Sequence, residues 1–209
     1  MTGQVFAQIS VSLDGFLAGP DAGVEHPLGI GGERLHQWAF GLRSWRQRQG
    51  IKGGEDNRDS RALDELWART GAVVMGRRMF DSGEVPWGPN PPFRAPVFVV
   101  TSRDRETLVR EGGTSFVFVT DGIESALAQA RAAAGDKDVS LAGGADVIQQ
   151  FIRAGLLDEL EVHVVPVLMG AGTRLFDHLG SEPIEWQKTE VVDAPEATHI
   201  RLRAVKAAG

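Results

Sequence analysis

Apolar residues recur along this chain at two periods, and the points where one period gives way to the other predict its elements. From Gln4 to Leu13, Val5, Ala7, Ile9, Val11 and Leu13 alternate with Gln8, Ser10 and Ser12, which marks a strand with one polar face. Leu35, Trp38, Leu42 and Trp45 then follow at helical spacing. They predict an amphipathic helix from Glu33 to about Gln49, set in a long elaborated segment covering residues 19–59. Leu63, Leu66 and Trp67 predict a further helix, capped by Asp59 or Ser60 and stopped at Gly71. Apolar runs at residues 72–75, 96–100 and 116–119 read as buried strands. Residues 81–95 hold four of the ten prolines, so no regular structure is expected there.

The second half repeats the alternation. Asp121 and Glu124 make a capping-box pattern ahead of a helix turned inward at Ile123, Leu127 and Ala130. Val139, Leu141 and Ala142 read as a short strand, and after Gly143-Gly144 a stripe of Val147, Ile148, Phe151 and Ile152 predicts a helix closed by Gly155. Asp158 and Glu159 fall in a connection, and Leu160, Val162 and Val164 form one face of the strand that follows. Residues 184–192 and 198–205 pair around a turn at Asp193-Ala194-Pro195. Strand, helix and strand over residues 116–142 form one βαβ unit with parallel strands. The pattern predicts an α/β fold in a single domain spanning residues 1–209: a mostly parallel mixed central sheet flanked by helices, with antiparallel C-terminal strands.

Composition narrows the function. At 209 residues and 42% hydrophobic content the chain suits one packed domain, and its formal charge of -6 opposes an extended nucleic-acid footprint. No run of eighteen apolar residues is present and the N-terminus lacks a signal-peptide pattern, so a cytoplasmic protein with no membrane partner is expected. With Cys 0 there are no disulfides, thiol nucleophiles or thiolate metal sites. The five histidines show no ligand spacing, no metal is expected, and His163 reads as a hydrogen-bonded interior residue. Serine-hydrolase and P-loop motifs are missing.

Candidate chemistry sits at the strand ends. Gly143 and Gly144 lie at a strand-to-helix turn, where missing side chains and the first helical N–H groups of Ala145, Asp146 and Val147 suit a diphosphate or a carboxylate, or simply a tight turn. Arg77 and Arg78 follow a strand and Gly76; they are either solvated or a phosphate clamp. Thr101, Ser102 and Arg103 end another strand and favour the 2′-phosphate of NADPH over NADH, with Asp104 arguing the other way. Asp14 in Asp14-Gly15 closes a turn or faces a ligand. Trp38 and Trp45 pack in the core, line a pocket or form a dimer contact. Trp87 and Phe93 wall a site or cover a sheet edge.

The run AGGADVIQQFIRAGLLDELEVHVVPVLMGAGTRLF, with QISVSLDGFLAG, AVVMGRRMF and PVFVVTSR in the same order, resembles the dihydrofolate-reductase-like family, in the branch related to the riboflavin-biosynthesis reductase domain. That resemblance implies an NADPH-dependent reductase acting on a pteridine-, pyrimidine- or flavin-like heterocycle. It places Asp14 beside the nicotinamide as the catalytic residue and the Gly76-Arg77-Arg78 segment on the cofactor phosphates. The ring would lie between Asp14, Trp38 and Trp87, and Arg174 would serve a substrate phosphate. The zinc deaminase often fused to the riboflavin enzyme needs cysteines, so only the reductase half is represented. Dihydrofolate reductases carry a carboxylate on the helix after the first loop, where Glu33 alone falls near, which argues against folate. A homodimer is implied as well. The competing class is a nucleotide-binding sensor of the same fold without turnover.

Overall fold

The computed structural model describes residues 3–205. Its centre is a nine-stranded sheet. In chain order the strands and helices are β1 (Val5–Ser12), β2 (Phe16–Ala18), α1 (Gln37–Phe40), α2 (Arg43–Arg48), α3 (Arg58–Arg69), β3 (Thr70–Gly76), α4 (Arg77–Trp87), β4 (Pro96–Val100), β5 (Leu108–Val109), β6 (Ser115–Val119), α5 (Gly122–Ala134), β7 (Asp138–Gly143), α6 (Ala145–Arg153), β8 (Glu159–Val165), β9 (Thr173–Arg174), β10 (Trp186–Asp193) and β11 (Thr198–Ala204). The sheet runs β10-β11-β8-β1-β7-β3-β4-β6-β5, and β2 pairs separately with β9. The six strands from β8 to β6 are parallel, while β11 joins β8 and β10 joins β11 in antiparallel register. β6 and β7 are parallel as expected, but β3 and β4 lie between them.

Two apolar layers sandwich the sheet. On one face Val5, Ala7, Ile9 and Val11 of β1 meet the stripe of α6 and the inner side of α5, with Ile148, Phe151, Ala126 and Ala130 fully buried. On the other, Val73 and Met75 of β3, Val97 and Val99 of β4, and Phe116 and Phe118 of β6 pack under Phe80 of α4. The polar side of β1 belongs to this second face. Ser10 and Ser12 are buried there, so the expected polar face is covered by protein and is not a solvent face.

Five local expectations need correction. The helix expected over residues 33–49 is three pieces: a 3-10 turn, Gly32–Leu35, then α1 and α2. The break falls at Gly41-Leu42, where Leu42 turns extended (ψ 140) and buries its side chain, so side-chain spacing persisted where backbone continuity did not. The segment at 81–95 is half helical. Of its prolines only Pro86 lies inside α4, in the last turn; the other three follow Gly88. α3 is capped by Asn57, whose Oδ1 accepts from Ser60 N at 3.0 Å, leaving Asp59 free for other contacts. Asp121 makes no side-chain cap bond to α5. Glu159 is buried in β8, not in a connection, and accepts from Arg69 at 2.6 Å. No helix among the described residues is long and apolar enough to cross a membrane.

Candidate functional site

Parallel strands deliver their C-terminal ends to one edge of the sheet, and the helices that follow begin there with unpaired N–H groups. At β3 the chain passes through Gly76 into α4; at β7 it passes through Gly143 and Gly144 into α6; between them β4 ends at Val100-Thr101-Ser102. These three segments enclose a cleft of about 310 Å³ lined by Gly76, Arg77, Arg78, Met79, Val100, Thr101, Ser102, Gly144, Ala145, Asp146, Val147 and Gln150. Of the cofactor residues expected from sequence, Gly143 and Arg103 alone are off the lining.

Glycine is needed at the floor. A Cβ on Gly76 would stand 3.1 Å from Val147 Cγ2, and one on Gly143, whose φ is 126°, would meet Met79 Sδ at 3.3 Å. Around Gly144 a Cβ would meet nothing within 4 Å, so its backbone borders open space. The peptide between Gly143 and Gly144 is cis.

The charges at the cleft, like its shape, are of the kind that would suit an anion. Both α4 and α6 start without a side-chain cap, and α4 opens with Arg77-Arg78, cations at the helix end that already carries partial positive charge. That placement is unfavourable for the helix alone and favourable once a phosphate sits between them. Arg77 is held by Asp81 at 2.7 Å, over the rings of Phe80 and Phe118, and Arg103 reaches the same carboxylate at 3.2 Å. Arg78 is exposed and has no ion-pair partner among the described residues. Asp146 is the opposing charge; its Oδ2 accepts from Gln150 Nε2 at 2.7 Å.

Of the residues expected around the substrate, Asp14 and Arg174 are brought together, Trp38 packs near them with Met169, and Trp87 is not among them. Asp14 sits just past β1 and accepts from Ser12 Oγ at 2.6 Å, Met169 N at 3.1 Å and Gly170 N at 2.8 Å. The Ser12 hydroxyl first, then the Met169 amide, lower its pKa to about 2, so it is a fixed anion at neutral pH and clamps the 169–172 glycine turn to β1. Arg174 joins it there, donating to Asp14 O at 2.6 Å with its guanidinium 4.2 Å from the Phe16 ring centroid. Gln149 of α6 donates to Arg174 O and Leu175 O, tying this turn to the cleft helix. Trp87 lies at the other end of the sheet, edge-on to Phe93 at 4.9 Å and stacked on Phe116 near the start of β6, in the apolar layer under α4. Glu33 is exposed.

Trp38 borders a second cavity of about 240 Å³, between α3 and the polar face of β1, β8, β11 and β10. Its Nε1 donates to Ser10 Oγ at 3.0 Å and its ring lies 4.5 Å from His163 and 4.9 Å from His199. The two histidines face each other across the β8/β11 ladder with Nδ1 atoms 2.5 Å apart, and Asp59 approaches His199. Sequence reasoning passed over His199 and Asp59: their partnership depends on a strand register that pairs positions 163 and 199, which no local spacing reveals.

Residues 4–200 match the RibD C-terminal domain, and the chain belongs to that family. It is 24% identical over 174 residues to the uncharacterised protein YwjB of Bacillus subtilis (strain 168), covering 83% of each chain. Among solved structures it resembles a protein named for riboflavin biosynthesis from Shewanella sp. PV-4, with TM-score 0.71, 21% identity, and 97% and 99% of the two chains covered. The dihydrofolate reductase of Enterococcus faecalis, solved with NADP(H), matches at TM-score 0.57 and 16% identity over 99% of each chain. The fold is therefore the dihydrofolate-reductase-like one.

Proposed function

We propose that this protein is an NADPH-dependent reductase that passes hydride to a small nitrogen heterocycle. The observation that carries the reading is the cleft in which three strand ends, two uncapped helix starts and an unpaired guanidinium converge on glycine backbone. The residues fit a dinucleotide: the floor leaves no room for a Cβ at Gly76 without displacing Val147, and the donors are those phosphates require. Amides of Ala145, Asp146 and Val147 and the side chain of Arg78 would hold the diphosphate. Thr101, Ser102 and Arg103 would meet the ribose phosphate that separates NADPH from NADH. Reduced nicotinamide supplies the hydride when bound. Asp14, ionised throughout the physiological range, keeps the Met169-Gly170 turn in place beside the end of β1. Membership of the reductase-bearing family and the NADP(H) complex of a structural neighbour support the reading.

Mixing the purified protein with NADPH tests it. Quenching of tryptophan emission, followed by loss of the reduced cofactor's absorbance with a pyrimidine, pteridine or flavin acceptor, is the expected result. Quenching without oxidation by any acceptor would leave a nucleotide-binding protein without turnover, and no quenching would remove the cofactor altogether.

A further inference from the structure

Along one flank of α4 stand Arg77, Asp81 and Glu84, at i, i+4 and i+7. Opposite them runs the chain beyond β4, which brings Arg103, Arg105 and Arg110 to that flank. Glu84 takes Arg105 through two bonds, of 2.9 and 2.7 Å, and Arg110 at 3.5 Å. The Arg105 bonds, foremost, hold its carboxyl below the usual range, and the Arg105 guanidinium lies 5.3 and 5.5 Å from the ring centroids of Phe80 and Phe118. Glu84 therefore fastens the segment to α4 away from the cleft.

Asp81 has a different arrangement. Its Oδ1 accepts from Arg77 Nε at 2.7 Å and its Oδ2 from Arg103 Nη2 at 3.2 Å. Arg77 lines the cleft, whereas Arg103 stands off the lining with its side chain 67% exposed. One carboxylate thus joins a cation in the cleft wall to one at the rim. Among the described residues, the Arg77 side chain bonds only through Nε and that of Arg103 only through Nη2, so both keep further N–H groups for a ligand. Arg103 N donates to Thr101 Oγ1 at 3.0 Å, which fixes the backbone of this turn from within; the Arg103 side chain is what Asp81 adds to the order. Two guanidiniums and one carboxylate leave a net positive charge, and water at the exposed end screens the repulsion between Asp81 and an incoming phosphate. Without the carboxylate two like charges would share one spot, and the long Arg103 side chain would regain its rotamers. Positioning outweighs repulsion.

We propose that Asp81 is a positioning residue that sets the preference for a 2′-phosphorylated adenosine, holding Arg77 and Arg103 as one phosphate fork at the rim of the cleft without touching the ligand. The inference rests on the dinucleotide reading of the cleft and names a residue, outside the cleft lining, on which its selectivity depends.

Titration calorimetry with adenosine 2′,5′-bisphosphate and adenosine 5′-phosphate tests it, because the two probes differ only in the 2′-phosphate and neither carries a nicotinamide. The wild type should prefer the bisphosphate by about tenfold or more. Asp81→Asn keeps the shape but turns an NH₂ group on one guanidinium. It should cut that preference about fivefold, the upper range for an exposed ion pair, with binding of the 5′-phosphate unchanged. Asp81→Glu, which keeps both oxygens, should recover part of the loss. Arg103→Gln should lower the preference about as much, and Asp81→Asn added to it should have less than its full effect. A preference that survives Asp81→Asn, or rises, overturns the proposal, as does an equal loss for both probes, the mark of a merely structural carboxylate. Should Asp81→Asn not fold, Arg103→Gln decides, since it leaves α4 intact: an unchanged preference overturns the proposal. A wild type that binds both probes alike removes this proposal alone, whereas one that binds neither removes the dinucleotide reading and the proposal with it.

Discussion

At Asp14 a carboxylate that sequence offered as either a turn closer or a ligand contact is held by three donors from two segments. Only the turn was legible, because Ser12 and Gly15 are its neighbours, whereas Met169 and Gly170 lie more than 150 residues away. Its folded pKa, about 2, lies below the ordinary 3.8. The stability it contributes is therefore complete above pH 3.8 and lost as pH falls through about 2. Amide signals of Met169 and Gly170, followed by NMR, should report a midpoint near 2; a midpoint at 3.8 would show that the clamp does not exist. Arg78 makes the complementary case. Exposed and unpaired, it is the guanidinium available to a phosphate, and Arg78→Ala should weaken NADPH by about 1.5 to 3 kcal/mol, read by titration calorimetry, with the fold intact. Arg103→Ala, whose guanidinium already rests on Asp81, should cost less.

Helix α4 shows why local propensity was a poor guide at the scale of an element. Four prolines in fifteen residues suggested a loop, yet the helix runs to Trp87 because three of them come after Gly88 and Pro86 costs only one bond in a final turn. Gly83 sits inside this helix, where alanine would ordinarily gain about 1 kcal/mol. Here its added Cβ would lie 2.2 Å from Trp87 Cζ2. Gly83→Ala is therefore expected to destabilise by about 1 to 3 kcal/mol in urea unfolding, opposite in sign to the propensity, and a stabilised variant would refute the Trp87 packing. Period-two and period-3.6 patterns were reliable where the apolar side of an element keeps to one layer, as with β1, α5 and α6. The stripe through Leu35, Trp38, Leu42 and Trp45 was real, but it is shared by three short pieces that each turn an apolar side chain inward.

For the whole molecule, strand order explains both what was legible and what was hidden. The cleft was readable because glycines and arginines stand directly at strand ends, where a parallel sheet gathers its ligand contacts. The histidine cavity was not, because it lies on a sheet face and joins β1, α3, β8 and β11. It has a consequence for stability. Burial lowers the pKa of His163, His199 and His36, the last to about 4, from the ordinary 6.5. Unfolded chains take up those protons first, so stability is full above pH 6.5 and falls below it. Both buried rings add to that loss until they protonate in the fold. Unfolding midpoints in urea should drop from pH 7 to pH 5, and His163→Gln should flatten that dependence.

The residues that a reduced dinucleotide touches decide whether the strand-end cleft is its site. Backbone ¹H–¹⁵N spectra recorded as NADPH is added should show the largest shifts at Gly76, Arg78, Thr101, Ala145, Asp146 and Val147. Saturating NADPH that left these amides in place, or that moved a different set, would contradict it.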